Sequence, residues 1–187
     1  MAKVSIIGTG TWGIALGMVL AQNGHEVTAW SALPKEIEAL RESYKCKNLP
    51  GVEIQRSIVF TADLQEACTD KEMLVLSVPS VFTRGVAKQM NPFVKEGQLI
   101  VSVAKGIEEK TLMTMSQQIE EELPMANVAV LSGPSHAEEV SRGIPTTVVV
   151  GAKDRQTAEH IQNLFMSSVF RVYTSPDILG IELGGAL

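Results

Sequence analysis

An apolar run at residues 4–7 leads directly into Gly8-Thr9-Gly10-Thr11-Trp12-Gly13, which in turn opens a helix-forming stretch at residues 11–22. Few turns constrain a chain as strongly as G-x-G-x-x-G between a strand and a helix. The first glycine permits the tight turn, the second lets the backbone approach a pyrophosphate, and the third allows the helix to pack closely on the strands. The free N–H groups and the dipole at the helix start attract an anion. Gly17 shares the face of Gly13 one turn later. A glycine turn between packed elements with no ligand is the alternative, and the strand–turn–helix setting weighs against it.

The next residues extend this opening into a βαβ unit. Residues 26–30 form a short apolar run bounded by Asn23-Gly24, and Pro34 stands at the first turn of a helical stretch at 35–42. Further runs rich in Val, Ile and Leu, at 58–60, 74–78, 99–103, 128–131 and 147–150, show little alternation, as strands covered on both faces do. Helical stretches at 63–68, 81–90, 112–122 and 137–142 fall between them. This order predicts an α/β fold with a doubly wound, mostly parallel sheet of the Rossmann type. With 187 residues, 45% apolar and 20% charged, the chain has the size and composition of one globular domain, or one domain and a fragment.

Charge and cysteine usage exclude several classes. There are 16 Lys and Arg against 21 Asp and Glu, a formal charge of -5, and the longest like-charged run is the acidic triplet Glu120, Glu121 and Glu122. No phosphate-tracking basic patch is visible, so nucleic-acid binding is not expected. Cys46 and Cys68 have no metal-type spacing and suit reduced thiols in a cytoplasmic protein, neither of them catalytic. Residues 4–25 carry no formal charge, but the glycine loop interrupts them, so no transmembrane or signal segment is expected.

Three segments follow expected strands at their carboxyl ends, where open α/β sheets bind ligands. They are Val78-Pro79-Ser80, Ala104-Lys105-Gly106-Ile107-Glu108, and Ser132-Gly133-Pro134-Ser135-His136-Ala137-Glu138-Glu139. Ser135 and Glu138 have capping-box spacing. Ser135 and His136 are adjacent at a helix start and no G-x-S-x-G turn is present, which argues against hydrolase chemistry. The second strand ends Ala29-Trp30-Ser31-Ala32, without the carboxylate that usually binds the adenosine ribose and without an arginine for a 2′-phosphate, so the choice between NAD and NADP stays open.

With the glycine loop, these segments, Phe170-Arg171-Val172-Tyr173 and Glu182-Leu183-Gly184-Gly185-Ala186-Leu187, the sequence closely resembles the bacterial NAD(P)-dependent glycerol-3-phosphate dehydrogenases along essentially its whole length. The resemblance implies reduction of dihydroxyacetone phosphate to sn-glycerol 3-phosphate, a phospholipid precursor. It implies cofactor contacts at Gly8, Gly10, Thr11, Trp12, Gly13, Pro79 and Ala137, with Lys105 as a catalytic cation touching both cofactor and substrate. Gly133 and Ser135 match positions that bind glycerol phosphate. Ala32 departs from the family, where a basic or polar residue is common.

In the family, the Gly-Gly-Ala-Leu segment runs into a proton-accepting lysine and then a helical substrate domain. Residues 1–175 are therefore expected to be the cofactor domain and residues 176–187 the start of an interdomain helix, inactive alone, with Ile178, Leu179, Ile181 and Leu183 left uncovered. A homodimer is left open. The glycine loop alone would equally permit a non-enzymatic dinucleotide-binding module, but the segments at Lys105 and at residues 132–135 count against it; a related hydroxy-acid dehydrogenase, such as those acting on 6-phosphogluconate or 3-hydroxyisobutyrate, is excluded by the resemblance and not by physics alone.

Overall fold

The apolar runs become the strands of one eight-stranded sheet. In the computed structural model, which describes residues 1–186, the chain runs β1 (Lys3–Ile7), α1 (Thr11–Gln22), β2 (Glu26–Trp30), α2 (Pro34–Ser43), β3 (Val59–Thr61), α3 (Leu64–Cys68) and β4 (Met73–Leu76). It continues through α4 (Thr83–Met90), β5 (Leu99–Ser102), α5 (Met115–Glu122), β6 (Asn127–Ser132), α6 (Ala137–Ser141), β7 (Thr146–Gly151), α7 (Arg155–Phe165), β8 (Phe170–Ser175) and α8 (Ile178–Ala186). Single 3-10 turns at Ser80–Phe82 and Asn91–Phe93 flank α4.

The strand order is β3-β2-β1-β4-β5-β6-β7-β8. Strands β1 to β6 are parallel, as expected; β7 runs antiparallel to β6, and β8 parallel to β7. The reversal follows from the path after β6. The chain turns through the short α6, which packs on α1, and comes straight back along the neighbouring strand.

The lack of alternation in the central strands has the anticipated cause. Ile6, Val75, Val101 and Ala129 enter one core with residues of α1, α2, α6 and α7. Their neighbours Ile7, Leu76, Ile100 and Val128 enter another with residues of α3, α4 and α5. Burying a Val, Ile or Leu side chain contributes roughly 1.5–3 kcal/mol, so a polar residue on either face of these strands would be costly. No helix among the described residues is long and apolar enough to cross a membrane.

Two elements are absent from the sequence expectation. The helix α7 buries Ala158, Ile161, Leu164 and Phe165 at helical spacing, and β8 alternates buried Phe170 and Val172 with exposed Arg171 and Tyr173. The expected helix at 112–122 starts only at Met115, because Leu112 adopts a left-handed φ of 60° and Ile107 bridges to Thr114. A capping box at Thr114 and Gln117 then opens the helix.

Candidate dinucleotide site

The strand order reverses at β1, which pairs with β2 on one side and β4 on the other, and this leaves a crevice beyond the carboxyl ends of β1 and β4. The glycine loop forms its floor. The Gly8 N–H donates to the Trp30 carbonyl at 2.9 Å, and the Ser77 hydroxyl donates to the Gly8 carbonyl at 2.8 Å. Gly8 has φ 119°, and a Cβ there would lie 2.9 Å from the Val78 nitrogen. At Gly13 a Cβ would lie 2.2 Å from the Gly8 carbonyl oxygen and 2.5 Å from the Ser77 hydroxyl. Both positions are closed to any side chain.

Gly10 is different. It occupies the N-cap of α1 in an extended conformation, and a Cβ there would meet nothing within 4 Å. No side chain caps α1, and no acidic residue stands in its first turn. The first N–H groups of the helix therefore have no side-chain acceptor among the described residues. This cradle fits a pyrophosphate: crowded where glycine must pack, open where the anion must approach.

Two lobes of the crevice meet at Gly10, Ser77, Val78 and Pro79. The first, about 560 Å³, lies between the end of β2, the start of α2 and the turn before α4. Its rim carries Leu33, Val81 and Phe82, which are 63%, 82% and 59% exposed. Such a cluster of exposed apolar groups around a cleft suits a flat heterocycle. The second lobe, about 570 Å³, is bordered by Thr11, Trp12, Lys105, Ser135 and Ala137.

A third recess, about 330 Å³, lies beside Lys105, between Ser132 and Gly133 on one side and Gly180, Gly184 and Gly185 of α8 on the other. Lys105 lines both this recess and the second lobe, and its ammonium donates to the Gly133 carbonyl at 3.0 Å.

The residues expected from sequence thus gather in one region. Gly8, Gly10, Thr11, Trp12, Pro79, Lys105, Ser135 and Ala137 border the crevice, Gly13 lies under the loop, and Gly133 lines the adjoining recess. A Cβ on Gly133 would lie 2.8 Å from the Thr147 carbonyl oxygen, so packing on β7 already demands glycine there. Ser135 corrects the capping-box expectation: His136 is the N-cap of α6, and the Ser135 hydroxyl donates to the Gly133 carbonyl at 3.3 Å instead.

Two residues escaped the sequence reading, Ser77 and Glu36, and so did the role of a third, Glu182 of the terminal motif. Ser77 ties the glycine loop to β4, and Glu36 borders the first lobe. Glu182 is buried in α8, where its carboxylate accepts the Ser116 N–H at 2.8 Å and the Ser116 hydroxyl at 2.6 Å. That anchorage modifies the expectation of an uncovered helix. Ile181 reaches the backbone of Gly151, whereas Leu179 and Leu183 stay exposed. Leu187, where the sequence motif and the chain end, lies outside the described residues.

The loop carrying Lys105 is held by an ion network. Arg84 of α4 donates twice to the Glu108 carboxylate, both at 2.8 Å, and also to Glu122 at 3.0 Å and to Glu121. The two Arg84 bonds to Glu108, with a further one from the Thr111 hydroxyl, hold the Glu108 carboxyl down at about 2. A carboxyl depressed in the folded state contributes stability above its unfolded value of about 4.3, and that contribution is lost as pH falls towards 2. We expect the urea midpoint of the wild-type chain to fall more steeply between pH 4.5 and 2 than that of Glu108→Gln; parallel curves would contradict this role.

Neither cysteine belongs to the crevice. Cys46 and Cys68 are unpaired, and burial pushes the Cys68 thiol up to about 12, which leaves it unreactive.

A glycine cradle, an uncapped helix start and a two-lobed cleft at the switch point of a doubly wound sheet define a dinucleotide-binding domain. The chain belongs to the family described as NAD-dependent glycerol-3-phosphate dehydrogenase N-terminus, whose model matches residues 3–158. It is 60% identical over its whole length to glycerol-3-phosphate dehydrogenase [NAD(P)+] of Agathobacter rectalis and 52% identical to that of Fusobacterium nucleatum, covering 56% and 57% of those proteins. The crystal structure of glycerol-3-phosphate dehydrogenase from Coxiella burnetii superimposes with a TM-score of 0.92 at 27% identity, over 98% of this chain and 57% of that one. The chain spans about half the length of the curated relatives it matches.

Proposed function

We propose that these residues form the cofactor-binding part of an oxidoreductase that reduces dihydroxyacetone phosphate to sn-glycerol 3-phosphate with NADH or NADPH. Residues 1–175 would be the cofactor domain and residues 176–187 the start of the helix leading to a substrate domain. One observation carries the reading: Lys105, at a strand end, lines both the second crevice lobe and the recess beside Gly133. A single cation there would stand between the place of the hydride donor and that of the carbonyl oxygen on which negative charge develops.

When bound, the reduced nicotinamide supplies the hydride. The chain's own groups bind and orient. The N–H groups at Gly10 and the start of α1 hold the pyrophosphate, and Pro79 with the first-lobe apolar rim holds the adenosine end. Thr11 and Trp12, which line the second lobe, would lie beside the pyrophosphate, and Ala137 near the nicotinamide end. The Lys105 ammonium would offer positive charge where the carbonyl oxygen becomes an alkoxide, and Gly133 and Ser135, which line the recess and the second lobe, would bind the glycerol phosphate. Reduced Cys46 and Cys68 suit a cytoplasmic setting, and the exposed Leu179 and Leu183 suit a covered surface in the longer protein or a homodimer.

The test is a substrate screen on a polypeptide of the relatives' full length carrying these residues. Oxidation of NAD(P)H with dihydroxyacetone phosphate, at a kcat/KM at least about 100-fold above that with any 2- or 3-keto acid, is the expected result. Preference for a keto acid would overturn the substrate, and tight dinucleotide binding without turnover of any of them would favour a binding module.

A further inference from the structure

The adenosine lobe holds a carboxylate after all, although none stands at the end of β2. Glu36 sits in the first turn of α2 and borders this lobe, the single charged side chain among its lining residues. Its position is fixed by a relay. The Ser31 hydroxyl, at the end of β2, donates to Glu36 Oε2 at 2.6 Å and accepts the Leu33 N–H at 3.2 Å. This is a capping arrangement stretched by one hydroxyl: the acidic residue reaches back towards the N-cap Leu33 through Ser31 instead of directly. Ser31 is buried and Glu36 half-buried, so the carboxylate is held in place beside the cleft. Its other oxygen, Oε1, accepts no hydrogen bond among the described residues.

A carboxylate at the adenosine end accepts hydrogen bonds from a ribose diol and repels a phosphate on the 2′-oxygen. Neither Lys nor Arg lines the lobe to offset that repulsion, and Ala32, beside Ser31, contributes no side-chain donor. We infer that Glu36, oriented by Ser31, is the residue that selects NAD(H) over NADP(H) in this chain, replacing from the start of α2 the acidic group that β2 lacks. The inference rests on the dinucleotide reading of the crevice, and it makes this chain narrower in cofactor use than the NAD(P)+ designation of its relatives.

The experiment is a pair of calorimetric titrations, NADH and NADPH, into the 187-residue chain and into Glu36→Gln and Ser31→Ala. The wild-type chain should bind NADH at least about tenfold more tightly than NADPH. Glu36→Gln should weaken NADH and strengthen NADPH until the two affinities lie within about threefold. Ser31→Ala should shift the ratio in the same direction by less, since the carboxylate remains but loses its tether. Circular dichroism spectra matching wild type show that each variant is folded. Equal wild-type affinities, or an unchanged ratio in a folded Glu36→Gln, would overturn the role of Glu36 while leaving the crevice a dinucleotide site. Binding of neither nucleotide by the folded wild-type chain would overturn the cofactor reading and this inference with it.

Discussion

Gly10→Val is expected to abolish dinucleotide binding and leave the fold intact, whereas Gly13→Ala, a smaller change three residues away, is expected to damage the fold. The surroundings of the two glycines separate the outcomes. A Cβ on Gly10 meets nothing within 4 Å, so a valine side chain extends into the crevice without displacing protein atoms. It occupies the space above the first N–H groups of α1, where the pyrophosphate must lie. A loss of at least about 100-fold in NADH affinity, roughly 2.7 kcal/mol, is expected, with a thermal midpoint within a few degrees of wild type. At Gly13 the added carbon would stand 2.2 Å from the Gly8 carbonyl oxygen, a backbone atom that cannot swing aside. Over-packing of this kind typically costs 1–3 kcal/mol and occasionally more. We expect at least about 3 kcal/mol from urea unfolding. A Gly10→Val chain that binds normally, or a Gly13→Ala chain as stable as wild type, would mean that the loop geometry is wrong.

Lys105→Ala, introduced into a polypeptide of the relatives' full length, should lower kcat/KM for dihydroxyacetone phosphate at least about 100-fold, again about 2.7 kcal/mol. Lys105 stands at the boundary between the second lobe and the recess formed with α8, and its ammonium is held by the Gly133 carbonyl. Removing it takes away a cation already in place when negative charge develops on the substrate oxygen. The Arg84–Glu108 network should keep its loop in position in the variant, because none of its bonds involves Lys105. A loss below tenfold would make Lys105 an ordinary exposed lysine.

What could be read from the sequence was what adjacent residues decide. The glycine loop, the first βαβ unit and the parallel strands β1 to β6 follow from turn chemistry and uninterrupted apolar runs, which depend on a few neighbours. The return of β7 antiparallel to β6 was not legible, since its direction is set by α6 packing on α1, more than a hundred residues earlier in the chain. α7 did carry a signal in its apolar spacing at 158, 161, 164 and 165, but β8 shows it only weakly, with Arg171 and Tyr173 facing outwards.

The site divides in the same way. Residues of the motifs gather at the crevice and its adjoining recess, while Glu36 and Ser77, outside the motifs, and Glu182, inside one, act through partners five or more residues away. Glu36 is the instructive case. The rule that seeks an acid at the end of β2 looks one element too early, because the Ser31 hydroxyl transfers that position to the first turn of α2.

Backbone amide chemical-shift mapping of the 187-residue chain during titration with NADH tests the crevice most directly. The largest shifts should fall on residues 8–14, 31–36, 77–82 and 104–106 and on 135–138, five segments far apart in sequence that meet only at the carboxyl ends of the strands. Residues 45–53 and 152–158, which border separate surface recesses, should not move. Shifts concentrated in either of those recesses, or none at millimolar NADH in the folded chain, would contradict a dinucleotide site at the β1–β4 switch point.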